Sequence, residues 1–166
     1  MSHKVGPLTQ SKDTALQSVD PARLRLTGGD NPQGVLLGTR CRDCEIYLFG
    51  PATFCQSCTS PNLEPVELNC RGTLFSYTIV RVPPAGWPGP VPYVLGEVEL
   101  PEGPHVLAEI IDCAESDLKI GLPTELAVQA VESPETGARR TVYMVYKWRL
   151  RAETGISTVP PVEETS

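Results

Sequence analysis

The chain has 166 residues, a formal charge of −6, 40% apolar residues, seventeen prolines, fourteen glycines, six cysteines and two histidines. That length suits one domain or two small ones, and the glycine and proline content favours short strands and turns over a helical bundle. No apolar run approaches the roughly 20 residues needed to cross a bilayer, and an acidic chain is a poor start for neutralising phosphates.

The N-terminus, MSHKVGPLTQSKD, is polar and lacks the apolar core of a secretory signal. The chain is therefore expected in the cytoplasm, where thiols stay reduced. Residues 1–33 read as an extended or partly helical arm. DTALQSVDPARLRL has weak helical periodicity interrupted by Pro21, and TGGDNPQG ends it with turn residues.

Residues 34–69 form a cysteine module. GVLLGTR reads as a strand entering the first Cys-x2-Cys, and four of the six cysteines (Cys41, Cys44, Cys55 and Cys58) follow as two such pairs separated by ten residues. Two residues between cysteines allow a tight turn to aim both sulfurs at one point. Two such knuckles give a tetrahedral four-sulfur site, which suits structural zinc and leaves no open position for catalysis. Iron in a rubredoxin-like arrangement satisfies the same ligands, and would make the chain an electron carrier. A redox Cys-x2-Cys would normally occur once, at a helix N-terminus. Cys70 and Cys113 lie outside the pattern and read as small buried apolar residues.

Residues 70–150 hold five strand-like runs, at 73–82, 93–100, 105–111, 124–131 and 141–150. In the last, Val142, Met144, Tyr146, Trp148 and Leu150 alternate with Thr141, Tyr143, Lys147 and Arg149, the period-2 pattern of a half-buried strand. CAESDLKIGLP, after the third run, has room for one or two helical turns. Five strands with a short insertion after the third match an OB-type barrel, although strand count alone leaves a sandwich open. The fold class expected is mostly β: an arm, a zinc ribbon, then a five-stranded OB barrel. Residues 151–166 are polar and proline-containing, and read as a flexible tail.

Catalytic patterns are missing. His105 opens a strand without a nucleophile beside it, and Glu97, Glu99 and Glu109 sit where solvent-facing strand residues sit. The loop VPPAGWPGPVPY (82–93) carries five prolines and Trp87. Proline stiffens the backbone and removes donors, so this is a rigid projection, with Trp87, Pro88, Pro92 and Tyr93 as candidate contacts to a partner or substrate channel. Capping of the barrel end by Trp87 is the plainer alternative.

Taken in order, CRDC and CQSC, NCRGTLFSYTIV, PYVLGEVELPEG, LKIGLP and YKWRL resemble the DUF35 family over residues 34–150. The resemblance implies a rubredoxin-type zinc ribbon followed by an OB fold, in a non-catalytic accessory subunit of a thiolase-superfamily enzyme. A thiolase dimer would carry two copies, giving a 2:2 heterotetramer. The substrate of such a complex would be a bulky CoA thioester from aromatic or steroid side-chain catabolism. Lys147 and Arg149 match the family's closing basic–aromatic strand and are candidates for contact with CoA or the partner; a solvated strand face is the alternative. Stand-alone nucleic-acid binding is the rival use of an OB fold. Against it, seven basic residues between Arg71 and Leu150 face ten acidic ones.

Overall fold

The computed structural model describes residues 15–29, 31–87, 89–132 and 141–151. Ten strands and a single 3-10 turn make up its regular structure: β1 (Ala15–Ser18), β2 (Leu24–Thr27), β3 (Gln33–Cys41), β4 (Tyr47–Phe49), β5 (Leu63–Leu68), β6 (Arg71–Val80), β7 (Tyr93–Glu99), β8 (His105–Ile111), β9 (Pro123–Glu132) and β10 (Thr141–Leu150). The 3-10 turn, Glu115–Asp117, lies between β8 and β9. No α-helix occurs among the described residues.

β6 to β10 close into a barrel. β6 pairs antiparallel with β7, β7 with β8, and β10 with β9. β10 then runs parallel to β8, and β9 returns antiparallel to β6 through Arg71–Thr73. First-second-third-fifth-fourth-first is the strand circuit of an OB barrel, and it removes free sheet edges. The alternation read from the sequence sorts inside from outside. Val94 and Val98 of β7, Val106 and Ile110 of β8, and Trp148 of β10 all point inward. Trp148 is fully buried and its Nε1–H donates to the Val106 carbonyl at 3.2 Å, so the core's largest side chain also satisfies its one polar group.

A second sheet is organised around β3, which pairs antiparallel with β2, β4 and β5. At its centre a Cβ on Gly38 would stand 2.5 Å from the Leu48 carbonyl oxygen and 2.7 Å from the Leu68 side chain, so the β3–β4–β5 crossing requires glycine there. The two sheets share one core. Leu36 and Leu68 from the β3 sheet join Leu74, Leu100, Leu118 and Trp148 of the barrel, and Phe49 of β4 meets Tyr146 of β10 edge-on at 5.8 Å.

The described part of the arm takes the extended one of its two expected characters. The helical periodicity of DTALQSVDPARLRL does not form a helix in residues 15–27. β1 pairs in parallel with the start of β10, and β2 pairs with β3. Val19 donates to the Met144 carbonyl, Asp20 caps the intervening turn, and Leu24 is fully buried. Tertiary pairing overrides a weak local preference here. Residues 1–14, the tail from 152 onward and Pro88 lie outside the described residues.

Candidate metal centre

Each cysteine pair sits in the same hydrogen-bonded turn. In the first, the Cys41 amide donates to the Ile46 carbonyl and the Glu45 amide to the Cys41 carbonyl; in the second, Cys55 donates to Ser60 and Thr59 to Cys55. The residue after each pair takes the left-handed conformation, Glu45 at φ 63° and Thr59 at φ 60°. The knuckles are thus related by local pseudo-symmetry, and they present their sulfurs to each other. Cys41 Sγ lies 3.6 Å from Cys58 Sγ, Cys44 Sγ lies 3.5 Å from Cys55 Sγ, and all four fall within 4.8 Å of one another. A tetrahedral ion with metal–sulfur bonds of about 2.3 Å places its ligands about 3.8 Å apart. The four cysteines fit one such ion, in keeping with a zinc ribbon.

The electrostatics favour the same conclusion. The amides of Cys58 and Ser57 point at Cys55 Sγ, at 3.5 and 3.4 Å, and hold its thiol down to about 6. Cys58 is pushed up to about 12. The Ser60 amide favours its thiolate, but hydrogen bonding with Cys44, desolvation and the crowding of Cys41 and Cys55 outweigh that. Four thiolates cannot share this space without a cation to neutralise them. Four sulfur ligands would fill the coordination sphere of a tetrahedral ion, leaving it no open position for substrate.

Polar groups around the knuckles were not legible in the sequence. Asp43, inside the first knuckle, accepts from the Ser60 hydroxyl and from Asn62 Nδ2 at 2.8 Å, tying the first turn to the second. The Ser60 and Asn62 donors lower its pKa. Glu64 of β5 bridges Arg40 and Arg42 at 3.1 and 2.9 Å and is likewise lowered, first by Arg40 and then by Arg42. Arg40 also pairs with Glu45 at 2.7 Å. These contacts link positions seventeen or more apart in the chain, apart from Arg40–Glu45, so no local motif announces them.

The other candidate residues gather along the barrel. Trp87 is half-buried, stacked on Tyr93 at 4.3 Å with rings 18° apart, and its Nε1–H donates to the Pro90 carbonyl. Pro92 is exposed beside them. The base of this loop borders a cleft of about 440 Å³ between Pro92, Tyr93, Glu109, Cys113 and Lys147. Lys147 is ion-paired with Glu109 there, both largely buried, and Arg149 pairs with Asp112 at 2.7 Å. The solvent-facing reading of Glu109 is therefore corrected: burial against β10 gives it a partner. Lys147 and Arg149 both have carboxylates in place, which an incoming phosphate would have to displace. Cys70 is exposed, not buried, because it lies at the turn joining β5 to β6; Cys113 is partly exposed. Burial, and then the negative charges of Asp117 and Asp112, push the Cys113 thiol up, away from a nucleophilic thiolate. His105 is the single histidine among the described residues. Its Nδ1 lies 3.0 Å from Glu97, with Phe75 against its ring and no nucleophile hydrogen-bonded to it.

A cysteine-clamped ribbon packed on an OB barrel defines the class of protein. Residues 65–129 match the family described as the ChsH2 C-terminal OB-fold domain. A DUF35 domain-containing scaffold protein of Pyrococcus furiosus is 34% identical across 69% of this chain and 82% of its own length. The benzoylsuccinyl-CoA thiolase subunit BbsA of Thauera aromatica is 30% identical across 68% of this chain and 76% of its own. Among solved structures, a chain of the Ltp2-ChsH2(DUF35) aldolase superposes with a TM-score of 0.55 at 26% identity, covering 70% of this chain and 84% of that one. The chain belongs to the DUF35 family.

Proposed function

We propose that this chain is a zinc-binding, non-catalytic accessory subunit of a thiolase-superfamily enzyme acting on a bulky acyl-CoA thioester. The observation that carries the reading is the recurrence of the chain's likeness in BbsA, a thiolase subunit by name, and in the DUF35 component of the Ltp2-ChsH2 aldolase. The sites support a positional role. The clamped four-sulfur centre offers no open coordination position, and the described histidine and the Cys113 thiol are not poised for acid–base or nucleophilic work. Zinc fixes the ribbon, and ribbon and barrel together form one rigid body through their shared core. The proline-stiffened loop bearing Trp87 extends from that body toward the substrate entrance of the catalytic subunit.

A symmetric catalytic dimer binding one copy on each half gives a 2:2 heterotetramer in the cytoplasm. A benzoylsuccinyl-CoA-type or steroid side-chain thioester is the substrate class this reading favours. Nucleic acid is disfavoured by the barrel itself: β7, one of the strands corresponding to the usual OB binding face, carries Glu97 and Glu99 outward. No described helix is long and apolar enough to cross a membrane.

Purification of the tagged chain from its native host tests the reading. A co-eluting thiolase-type protein, identified by mass spectrometry in equimolar amount, is expected. Elution of the chain alone at its monomer mass in mild salt would contradict it.

A further inference from the structure

Two large apolar side chains stand in solvent on one wall of the barrel: Leu107 is 57% exposed and Phe75 49% exposed. Each has a structural reason to face outward. On β8, inward Val106, Ala108 and Ile110 leave His105 and Leu107 exposed on the outer surface, while Glu109 on the same face is largely buried against Lys147. On β6 the pairing with β7 slips between Leu74 and Ser76, and the unpaired Phe75 is turned out by the resulting bulge. The Phe75 ring then meets the His105 imidazole edge-on at 4.5 Å.

Carboxylates frame these groups. Leu107 lies opposite Glu97, and His105 opposite Glu99, across the β7–β8 ladder. The Ser76 hydroxyl, and then His105, lower the Glu97 pKa, so it is ionised at neutral pH. Glu99 is half exposed, with the His105 ring nitrogen 4.0 Å away and no lysine or arginine paired with it among the described residues. The wall is therefore an apolar centre with an acidic rim.

We propose that the β6–β7–β8 wall is the docking surface for the catalytic partner subunit, received by an apolar cleft on that subunit rimmed with lysine or arginine. This rests on the accessory-subunit reading and gives it a surface. Charge decides between occupants. A second copy seated face to face about a two-fold axis would set one acidic rim, Glu97 and Glu99, against the other. A phosphate backbone or an anionic lipid surface meets the same repulsion. A basic-rimmed protein cleft covers Leu107 and Phe75 while neutralising the carboxylates, and charge complementarity of this kind sets orientation and association rate.

The test uses the full-length, metal-loaded chain and the purified thiolase-type partner. Leu107→Asp is expected to weaken binding by about 10-fold or more, as loss of a central apolar contact does. Glu99→Lys is expected to slow association and abolish its salt dependence. Ile120→Asp, at a position 69% exposed in the loop before β9, is expected to leave affinity within about 2-fold. Unchanged metal content and thermal midpoints show that each variant is folded. Wild-type affinity in Leu107→Asp, or equal weakening by Ile120→Asp, overturns the docking surface. Unaltered salt dependence in Glu99→Lys overturns the basic rim. Failure of the wild-type chain to bind any thiolase-type subunit overturns the accessory reading and this surface with it.

Discussion

Replacing Cys55 with serine probes the link between metal and function most sharply. Cys55 is fully buried, receives two backbone N–H groups on its sulfur, and has its thiol held near 6, so at neutral pH it is mostly thiolate. A serine hydroxyl in that position supplies no anion and only a weak neutral oxygen. Structural zinc in such sites contributes about 10–16 kcal/mol of apparent binding free energy. Losing one of four thiolates is expected to weaken retention by at least about 1,000-fold, or about 4 kcal/mol. The net stability of a domain is about 5–15 kcal/mol, and the β3–β4–β5 sheet has little core of its own beyond Leu36 and Leu68. The knuckles should therefore lose fixed structure while β6–β10 stay folded around Trp148. Metal content per chain, measured by mass spectrometry after dialysis against a mild chelator, reads the first effect; amide NMR reads the second. Cys70→Ser, outside the cluster and exposed, should leave both unchanged. One equivalent of metal retained by Cys55→Ser, or knuckle resonances at wild-type positions without metal, would show that the four sulfurs do not act as one metal clamp.

Other outcomes follow from the same geometry. Asp43→Ala removes the acceptor shared by Ser60 and Asn62, and should speed metal release to a chelator by about 10-fold, the usual scale for outer-shell partners. Trp148→Ala empties the centre of the barrel and removes the indole hydrogen bond to the Val106 carbonyl, at an expected cost of about 3–5 kcal/mol in urea unfolding. The folded Glu64 carboxyl lies below its ordinary value because Arg40 and Arg42 engage it. Its contribution is therefore present above the ordinary glutamate range and lost as pH falls through the folded pKa. Thermal midpoints should accordingly drop on acidification below about pH 4.5, and less steeply in Glu64→Gln.

Much of the barrel was legible because its strands are half-buried, and half-burial writes itself as alternation. The run 93–100 ends one residue past β7, and the runs 105–111 and 141–150 coincide with β8 and β10. The cysteine spacing was equally plain, since a knuckle needs only local chain. What failed was non-local. β1 and β2 are four residues each, too short to show a period, and their register comes from β10 and β3. Pairing of Glu109 with Lys147 spans thirty-eight positions, so Glu109 looked like an ordinary outward residue. Exposure of Cys70 follows from the turn it occupies, where the Arg71 amide donates to Asn69 Oδ1; Asn69 is the turn signal, and a cysteine read by its own apolar character misses it.

The proposed role is to position a catalytic neighbour without performing chemistry. Thioester cleavage should be followed with the metal-loaded chain alone, the thiolase-type partner alone, and the two combined. No turnover is expected from the chain alone, and turnover by the mixture well above the partner's own, lost when Cys55→Ser replaces the wild type. Cleavage by the isolated chain, or a partner equally active without it, would rule that role out.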